Sequence, residues 1–211
     1  MTFAKSSLIT CLLGILLWEI HGRGMMVDPI SRSSAWRKGF PVQVNSNDDE
    51  LSCGGPTVMF TQNNGLCGEC GDDYATPRPR PNENGGVYGT GVIVQSDAVI
   101  NVKIKLTTND LGTFTFNLCP LERPNDLETE ECFNKYPLQL DNGINEFYVP
   151  DFQTDFNISV LLPSDLTCKR CVFRWTYKIG NHVGRCYNNV IGIGCGPQKT
   201  FKNCADIAIS Y

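Results

Sequence analysis

The chain has 211 residues, of which 41% are apolar and 19% charged, and its net charge is −4. This composition is typical of a globular protein and argues against a disordered chain. The mild acidity, without a basic block, argues against nucleic acid as the main partner. No apolar run reaches the length that crosses a membrane, which argues against a transmembrane protein.

Near the N-terminus, Lys5 is followed by an apolar run of ten residues, 8–17. A run this short is typical of the central region of a secretory signal peptide. We therefore predict a signal peptide over 1–20 and a single secreted domain over 21–211, whose first residue is His21. The junction is unusual, because Ile20 and Trp18 stand where signal peptidase prefers small residues. Cleavage after Gly22 is the alternative, and it removes His21.

The next segment, up to residue 86, is rich in Gly, Pro, Asn and Asp and is interpreted as loop, apart from a possible turn over 31–37. From residue 89 the pattern changes. Apolar residues occupy every second position at Ile100, Val102, Ile104 and Leu106, with polar residues between them. This alternation indicates a half-buried strand. Further strands are predicted over 113–118, 146–149, 157–162, 172–179 and 207–211. Short strands separated by turn-rich segments predict an all-β sandwich.

Eleven cysteines occur, of which one, Cys11, lies in the leader. The remaining ten are an even number in a secreted chain, which predicts up to five disulfides. They are Cys53, Cys67, Cys70, Cys119, Cys132, Cys168, Cys171, Cys186, Cys195 and Cys204. The two Cys-x-x-Cys pairs also have the spacing of zinc ligands, but an oxidising compartment favours structural bridges. The spacing leaves the pairing open.

Other motifs are weak. The only histidines are His21 and His182, and no Gly-x-Ser-x-Gly occurs, so a Ser/His/Asp hydrolase is disfavoured. The glycine-rich stretch 192–196 lacks the Lys and Ser/Thr of a phosphate loop. Acidic clusters at 48–50 and 128–131 resemble glycosidase carboxylates or a calcium site, and we interpret both as solvated loops. Asn157 begins an N-glycosylation sequon.

His21 acquires its own chemistry if it is the first residue of the mature chain. An N-terminal histidine offers a metal two nitrogens, the α-amine and ring Nδ1. The amine has a reference pKa of about 8, so copper displaces its proton near neutral pH. Cu(II) prefers nitrogen ligands in a flat arrangement. The alternative is an exposed histidine near a frayed end.

Several segments, spread in order over nearly the whole mature chain, carry a resemblance to a known family. They are H-G-R at 21–23, S-R-S-S-A-W-R at 31–37, N-G-L-C-G-E-C-G-D at 64–72, W-T-Y at 175–177, G-C-G-P-Q at 194–198 and F-K-N-C-A-D-I at 201–207. With these segments the chain resembles the arthropod-type lytic polysaccharide monooxygenases, the AA15 group within the chitin-binding type-4 domain.

The resemblance implies an immunoglobulin- or fibronectin-III-like β-sandwich with long disulfide-bridged loops and a flat face. It implies one copper ion in a histidine brace, an external reductant, and peroxide or dioxygen as the oxidant that attacks chitin or a related polysaccharide. Residue by residue, His21 matches the N-terminal ligand, and Phe201 matches the aromatic residue in the axial position.

One ligand departs from the family pattern. Where the second brace histidine is expected, the chain has Asp110. A carboxylate is a harder donor than imidazole and favours Cu(II) over Cu(I). We predict that His21 and Asp110 both contact copper; the alternative for Asp110 is a cap on the turn after a strand. His182 is a further possible ligand, for which a surface position is the alternative.

Two functions follow from these observations. The first is a secreted, monomeric, copper-dependent monooxygenase acting on chitin or another polysaccharide, with His21, Asp110 and Phe201 at its catalytic centre. The second is a relative that binds copper or polysaccharide on the same scaffold and has lost oxidative activity.

Overall fold

The computed structural model describes residues 23–89, 93–96 and 98–210. The predicted signal peptide and His21 therefore lie outside the described residues. The strands, in chain order, are β1 (Arg23–Asp28), β2 (Ile93–Ser96), β3 (Val99–Thr108), β4 (Thr113–Pro120), β5 (Gln139–Leu140), β6 (Glu146–Tyr148), β7 (Asp155–Leu161), β8 (Cys168–Lys178), β9 (Val183–Arg185), β10 (Ile191–Ile193) and β11 (Thr200–Ile209). The helical elements are a 3-10 helix (Arg32–Lys38), a π-helical turn (Thr57–Gln62) and α1 (Glu130–Lys135).

Two sheets form a sandwich, as the sequence predicts. One has four strands in the order β1-β3-β7-β5, and the other has five in the order β2-β11-β8-β4-β6. Strands β9 and β10 form a separate two-stranded hairpin. All pairs are antiparallel except β2 with β11, which is parallel. One face of each sheet packs on the core; the outer face of β3 is open to solvent, whereas β11 is buried on both faces over most of its length.

The core lies between the two sheets and is dominated by aromatic rings. Phe114 is at its centre, with ring centroids 5.1 Å from Phe156, 5.3 Å from Trp175 and 5.0 Å from Tyr177 in edge-to-face contacts. Pairs of this kind add about 0.5–1.5 kcal/mol each beyond their buried area. Because Phe156 comes from the four-stranded sheet and the other rings from the five-stranded sheet, the contacts join the two layers.

Strand β1 enters the sandwich through a glycine. A Cβ on Gly24 would lie 2.4 Å from Leu106 Cδ2 and 3.2 Å from the Trp175 ring, so a larger residue would require Leu106 to shift. The close approach lets Arg23 pair with Thr108 at the end of β3. The start of the described chain therefore lies at the end of the sandwich where β3 turns into β4.

Five disulfides are present, which confirms the prediction from the cysteine count. The bridges are Cys53–Cys67, Cys70–Cys204, Cys119–Cys132, Cys168–Cys171 and Cys186–Cys195. The longest closure, Cys70–Cys204, spans 134 residues and fastens the long N-terminal loop region to β11. All four cysteines of the two Cys-x-x-Cys pairs form disulfides, so none of them is a free thiol that could bind zinc.

The predicted strands are found, with differences in their bounds. The alternation over 99–106 is that of β3, in which every second residue is buried. The last strand begins at Thr200 and not at the predicted residue 207. Its first half is buried on both faces, so the sequence there shows no apolar–polar alternation from which a strand could be predicted. The segment before residue 86, interpreted as loop, also contains β1 and two helical turns, and the predicted turn over 31–37 is the 3-10 helix.

Candidate functional site

A tight turn between β3 and β4 carries Asp110. Asn109 Oδ1 accepts a hydrogen bond from Leu111 N at 2.8 Å, and Leu111 and Gly112 both have positive φ. At Gly112 a Cβ would lie 2.1 Å from the carbonyl oxygen of Lys178, so the turn packs directly on the end of β8. Asn109, and not Asp110, is thus the residue whose side chain caps the turn.

Asp110 is buried, with 7% of its surface exposed, and three of its groups form hydrogen bonds. Its main-chain N donates to Tyr177 Oη at 3.0 Å, and its carbonyl accepts from Gly180 N at 3.0 Å. Its carboxylate Oδ1 accepts from Asn181 Nδ2 at 2.8 Å. Burial, aided by the charge of Asp110, raises the pKa of Tyr177 well above its ordinary value, so the phenol stays protonated.

Phe201 lies next to Tyr177 on the neighbouring strand and is fully buried. The two rings stack with centroids 5.8 Å apart. The ammonium Nζ of Lys199 lies 4.7 Å from the Phe201 ring centroid, a cation–π contact. The aromatic residue that matches the family's axial position is therefore packed between a phenol and a buried cation.

Lys199 is a member of the site that sequence reasoning missed. Its side chain is only 2% exposed, and its Nζ lies 3.2 Å from Glu50 Oε1. Burial lowers the pKa of Lys199, Arg23 lowers it further, and the negative charges of Glu50 and Asp110 act in the opposite direction. No local pattern signals this position, because Lys199 and Glu50 are far apart in the chain and meet only in the fold.

The start of β1 completes the described part of the site. Arg23 Nη2 contacts Glu50 Oε2 at 2.7 Å, and Gly24 N donates to Asp49 O at 2.9 Å. His21 stands two residues before Arg23 and is outside the described residues. The positions of Arg23 and Glu50 show where the chain that follows His21 enters the sandwich.

His182 is exposed and follows directly on Asn181, the hydrogen-bond partner of Asp110. Its main-chain N donates to Gln198 Oε1 at 3.1 Å, and its carbonyl accepts from Gln198 Nε2. Over the described part of the chain, neither His182 nor Asp110 belongs to a group of three side chains that lie close enough to share a metal ion.

The solvated-loop interpretation of the two acidic clusters is wrong for their most buried members. Asp48 is fully buried and pairs with Arg37 at 2.6 Å, and Glu128 is fully buried and pairs with Arg32. Glu131 is exposed, as expected. Arginines distant in sequence compensate the buried carboxylates, and the sequence does not reveal such partners.

One group of metal-type donors does occur among the described residues, formed by Cys70, Glu128 and Cys204. The two sulfurs are joined in a disulfide, and Glu128 accepts from Arg32 and from Asn84 N at 3.1 Å. These atoms are already bonded within the protein, so this group is structural. Asn157 is exposed on β7, and its glycosylation stays a prediction.

Comparison with known proteins defines the class. Residues 21–207 match the family described as "Lytic polysaccharide mono-oxygenase, cellulose-degrading". An AA15 lytic polysaccharide monooxygenase from Thermobia domestica, in the Cu(I) state, is 43% identical over 88% of this chain and 98% of its own, with a TM-score of 0.85. An enzyme from Kitasatospora papulosa, 14% identical over 89% of this chain and 98% of its own, shares the fold with a TM-score of 0.50. A comparison with curated proteins finds no match.

The chain belongs to the lytic polysaccharide monooxygenase family, and its resemblance to the AA15 group is confirmed. Members of this family are copper-dependent, act on polysaccharides and are generally secreted. Among the described residues, no helix combines the length and apolar character needed to cross a membrane.

The donor set near Asp110 fits the family's copper only in part. The described residues contribute one carboxylate that already accepts a hydrogen bond from Asn181 and lies in the field of the Lys199 ammonium. The only imidazole among them, that of His182, is exposed. His182 is the one imidazole among the described residues, so a brace of two imidazoles would also require His21.

Proposed function

We propose that this chain is a secreted protein that binds polysaccharide on the lytic polysaccharide monooxygenase scaffold and has lost the oxidative step. The observation that carries the proposal is the pairing of two features at the metal end of the sandwich. The expected second histidine is Asp110, and a buried ammonium, Lys199, lies within electrostatic reach of its carboxylate.

Both features act against a redox-active copper site. When bound in active relatives, copper supplies the oxidising power. Cycling through Cu(I) is favoured by imidazole donors, whereas a carboxylate stabilises Cu(II) and disfavours reduction. The positive charge of Lys199 acts against a second cation at Asp110, and the Glu50 carboxylate, 3.2 Å from Nζ, offsets part of this charge.

An exposed aromatic residue beside the Asp110 turn supports polysaccharide binding. Phe152 is 96% exposed and has a φ of +62°. Asn109 Nδ2 holds its turn by donating to Pro150 O at 2.9 Å and to Gln153 O at 2.6 Å. A non-glycine residue is kept in this conformation only when its surroundings impose it. The turn therefore presents a flat apolar ring to solvent next to Asp110, as a sugar-stacking residue requires.

Binding is tested by co-sedimentation of the secreted chain with crystalline chitin and with cellulose. We expect retention of the wild type on at least one of them, and about tenfold weaker retention of Phe152→Ala, if one stacked ring contributes about 1.4 kcal/mol. Val99→Ala is the control, since Val99 is exposed at the opposite end of β3. Failure of the wild type to bind either polymer overturns the proposal.

Loss of oxidation is tested separately. The N-terminus of the secreted chain is first determined by mass spectrometry, which shows whether His21 is retained. The chain is then loaded with Cu(II) and incubated with each polymer, ascorbate and peroxide. We expect no oxidised oligosaccharides above the level of free copper. Their release by the wild type, and not by an EDTA-treated sample, would establish the monooxygenase instead.

Copper binding without turnover is a second candidate function, favoured by the register of β1. Arg23 pairs with Thr108, and Asp110 lies two residues beyond Thr108. Two residues of chain span at most about 7 Å, so the Asp110 end of the sandwich is within reach of His21. If His21 is the mature N-terminus, its amine and Nδ1 together with an Asp110 oxygen would hold one Cu(II). Calorimetric titration and EPR of the nitrogen donors test this assignment.

A further inference from the structure

A cleft lies between the end of β8 and the β9–β10 hairpin, and Asp110 is not among the residues that line it. Its volume is about 450 Å³. The residues around it have only cationic and neutral side chains, and they are Lys178, Arg185, Cys186, Tyr187, Asn189, Gly194, Cys195 and Gly196. Among the described residues, no carboxylate lines it.

The walls of this cleft are held rigidly. The Cys186–Cys195 disulfide closes the hairpin, and a Cβ on Gly184 would lie 2.1 Å from Cys195 O. Gln198, 2% exposed, donates to Cys195 O at 2.6 Å and binds the main chain of His182 through both amide atoms. The base of the hairpin is thus fixed on the body of the domain, so little ordering is needed when a ligand binds.

The charge around this cleft is segregated. Residues 166–205 contain seven Lys and Arg and not one Asp or Glu, in a chain whose net charge is −4. Three of the seven, Arg174, Lys199 and Lys202, turn inward to Glu130 or Glu50. Lys178 and Arg185 are exposed and have no acidic partner among the described residues. Two uncompensated cations therefore face the same cleft.

An aromatic ring accompanies these cations. Tyr187, at the tip of the hairpin, is fully exposed and lines the cleft. Asn189, also on the lining, has a φ of +63° and donates its main-chain N to Cys186 O at 2.9 Å, which stabilises the tip. A cleft with one aromatic surface and a few polar groups that converge on it is the usual form of a small-ligand site.

We propose that this cleft binds an acidic sugar unit of a polysaccharide, through a carboxylate or a sulfate group. The guanidinium of Arg185 matches two oxygens of either anion, Lys178 contributes a second positive charge, and Tyr187 contacts the sugar ring. This inference rests on the proposed polysaccharide binding and adds to it a preference for anionic chains. A neutral chain of N-acetylglucosamine offers these two cations hydrogen-bond acceptors but no negative charge.

The test measures binding of three tetrasaccharides by calorimetry at low and at physiological salt: tetragalacturonate, a sulfated heparin-derived tetrasaccharide, and neutral N-acetylchitotetraose. The variant Lys178→Gln/Arg185→Gln removes the cleft charges. The matched control, Lys38→Gln/Lys105→Gln, removes two cations that are exposed elsewhere and have no acidic partner among the described residues. Both variants have the same net charge, so a general electrostatic effect would appear equally in each.

We expect an anionic tetrasaccharide to bind more tightly than the neutral one. Its affinity falls about tenfold in the cleft variant, stays unchanged in the control, and weakens with salt. Preference for galacturonate identifies a polyuronate as the source, and preference for the heparin fragment identifies a sulfated chain. Equal loss in both variants, or no binding of either anionic probe, overturns the inference.

Co-sedimentation of the cleft variant separates this inference from the proposed function. If the wild type and the cleft variant bind chitin or cellulose but the wild type binds neither anionic probe, only the cleft assignment fails. If the wild type binds neither chitin nor cellulose, the proposed function fails, and the anionic probes then test the cleft assignment separately.

Discussion

Two buried charge clusters in this protein differ in how completely their charges are paired. Beneath the N-terminal loops, Arg32 donates through Nε and Nη2 to both oxygens of Asp206, at 2.9 and 2.7 Å, and through Nη1 to Glu128. Burial opposes the charge on Arg32, but the two carboxylates prevail and raise its pKa above the ordinary value. Every charge in this cluster has a partner within the protein.

The cluster around Asp110 and Lys199 is less complete. Asp110 receives one hydrogen bond from a described side chain, that of Asn181, and Lys199 has one carboxylate contact, with Glu50. Burial lowers the pKa of Lys199, the opposite direction from Arg32. Burial of charge alone therefore does not mark a functional site. The two clusters differ in their partners, because the Asp110 carboxylate has one hydrogen-bond donor among the described side chains, whereas Arg32 binds two carboxylates.

The largest expected effect comes from breaking the complete cluster. Arg32→Met leaves Glu128 and Asp206 buried without a cation, and we expect a loss of about 3–5 kcal/mol in the free energy of unfolding. Urea unfolding with disulfides intact measures it. Lys105→Met, at an exposed position, is the control and should lie within about 0.5 kcal/mol of the wild type. A similar small change for Arg32→Met would show that the cluster is not structural.

Restoring an imidazole at the incomplete cluster should have the next largest effect. In a chain shown to begin at His21, Asp110→His should raise Cu(II) affinity by at least the 10- to 100-fold that partners of metal ligands typically carry, about 1.4–2.7 kcal/mol. Calorimetry measures the affinity, and EPR should report an added nitrogen donor. Asp151→His, an exposed position, is the matched control. Unchanged affinity in Asp110→His would separate this residue from the metal site.

Removing the buried cation is a smaller perturbation of the same cluster. Lys199→Met keeps the apolar stem over Phe201 and deletes the positive charge that interacts with Glu50 and Asp110. We expect Cu(II) to bind about threefold to tenfold more tightly, equivalent to about 1 kcal/mol. Lys105→Met again serves as the comparison. A decrease in affinity would mean that Lys199 supports the metal site and does not oppose it.

The smallest effect concerns a half-exposed ion pair that lies between these extremes. Burial disfavours the Glu130 carboxylate, but Arg174 and Lys202 prevail and lower its pKa to about 2. A lowered carboxylate pKa stabilises the fold above the unfolded pKa of about 4.3, and this contribution is lost as pH falls towards about 2.

We therefore expect the wild type to lose stability relative to Glu130→Gln between pH 4.5 and 2, by about 1 kcal/mol or less because the side chain is half exposed. Urea midpoints at several pH values check this. Glu131→Gln, which removes an exposed pair with Lys135, should show no such crossover. A parallel pH dependence in Glu130→Gln would contradict the assignment.

Much of the fold could be predicted because its signals are local. The alternation of β3 and the even cysteine count each report a property of a short segment or of composition. Strand β11 was predicted only in its last part, because a strand covered on both faces shows no period of two. The short strands β5, β9 and β10 carry two or three residues each and leave no readable pattern.

The candidate site was likewise predicted only in part. Asp110 and Phe201 were identified from family segments, and the structure places both around Tyr177. Lys199 and Asn181 were missed, because their importance depends on which distant residues they contact. His21 stays a prediction, as do its cleavage and its copper contact.

The sequence alone determined the class of this protein. The evidence for the class is the apolar periodicity, the even number of cysteines and the order of the family segments. These are properties of the chain before it folds, and they can be recognised without knowing any distance between residues. Tertiary structure alone decided how the charges are paired. Coulomb energies depend on separation and burial. Only the folded protein therefore shows that Arg32 has a full set of partners and that Lys199 is buried against Glu50. The same holds for Lys178 and Arg185, which face a cleft and have no acidic partner among the described residues.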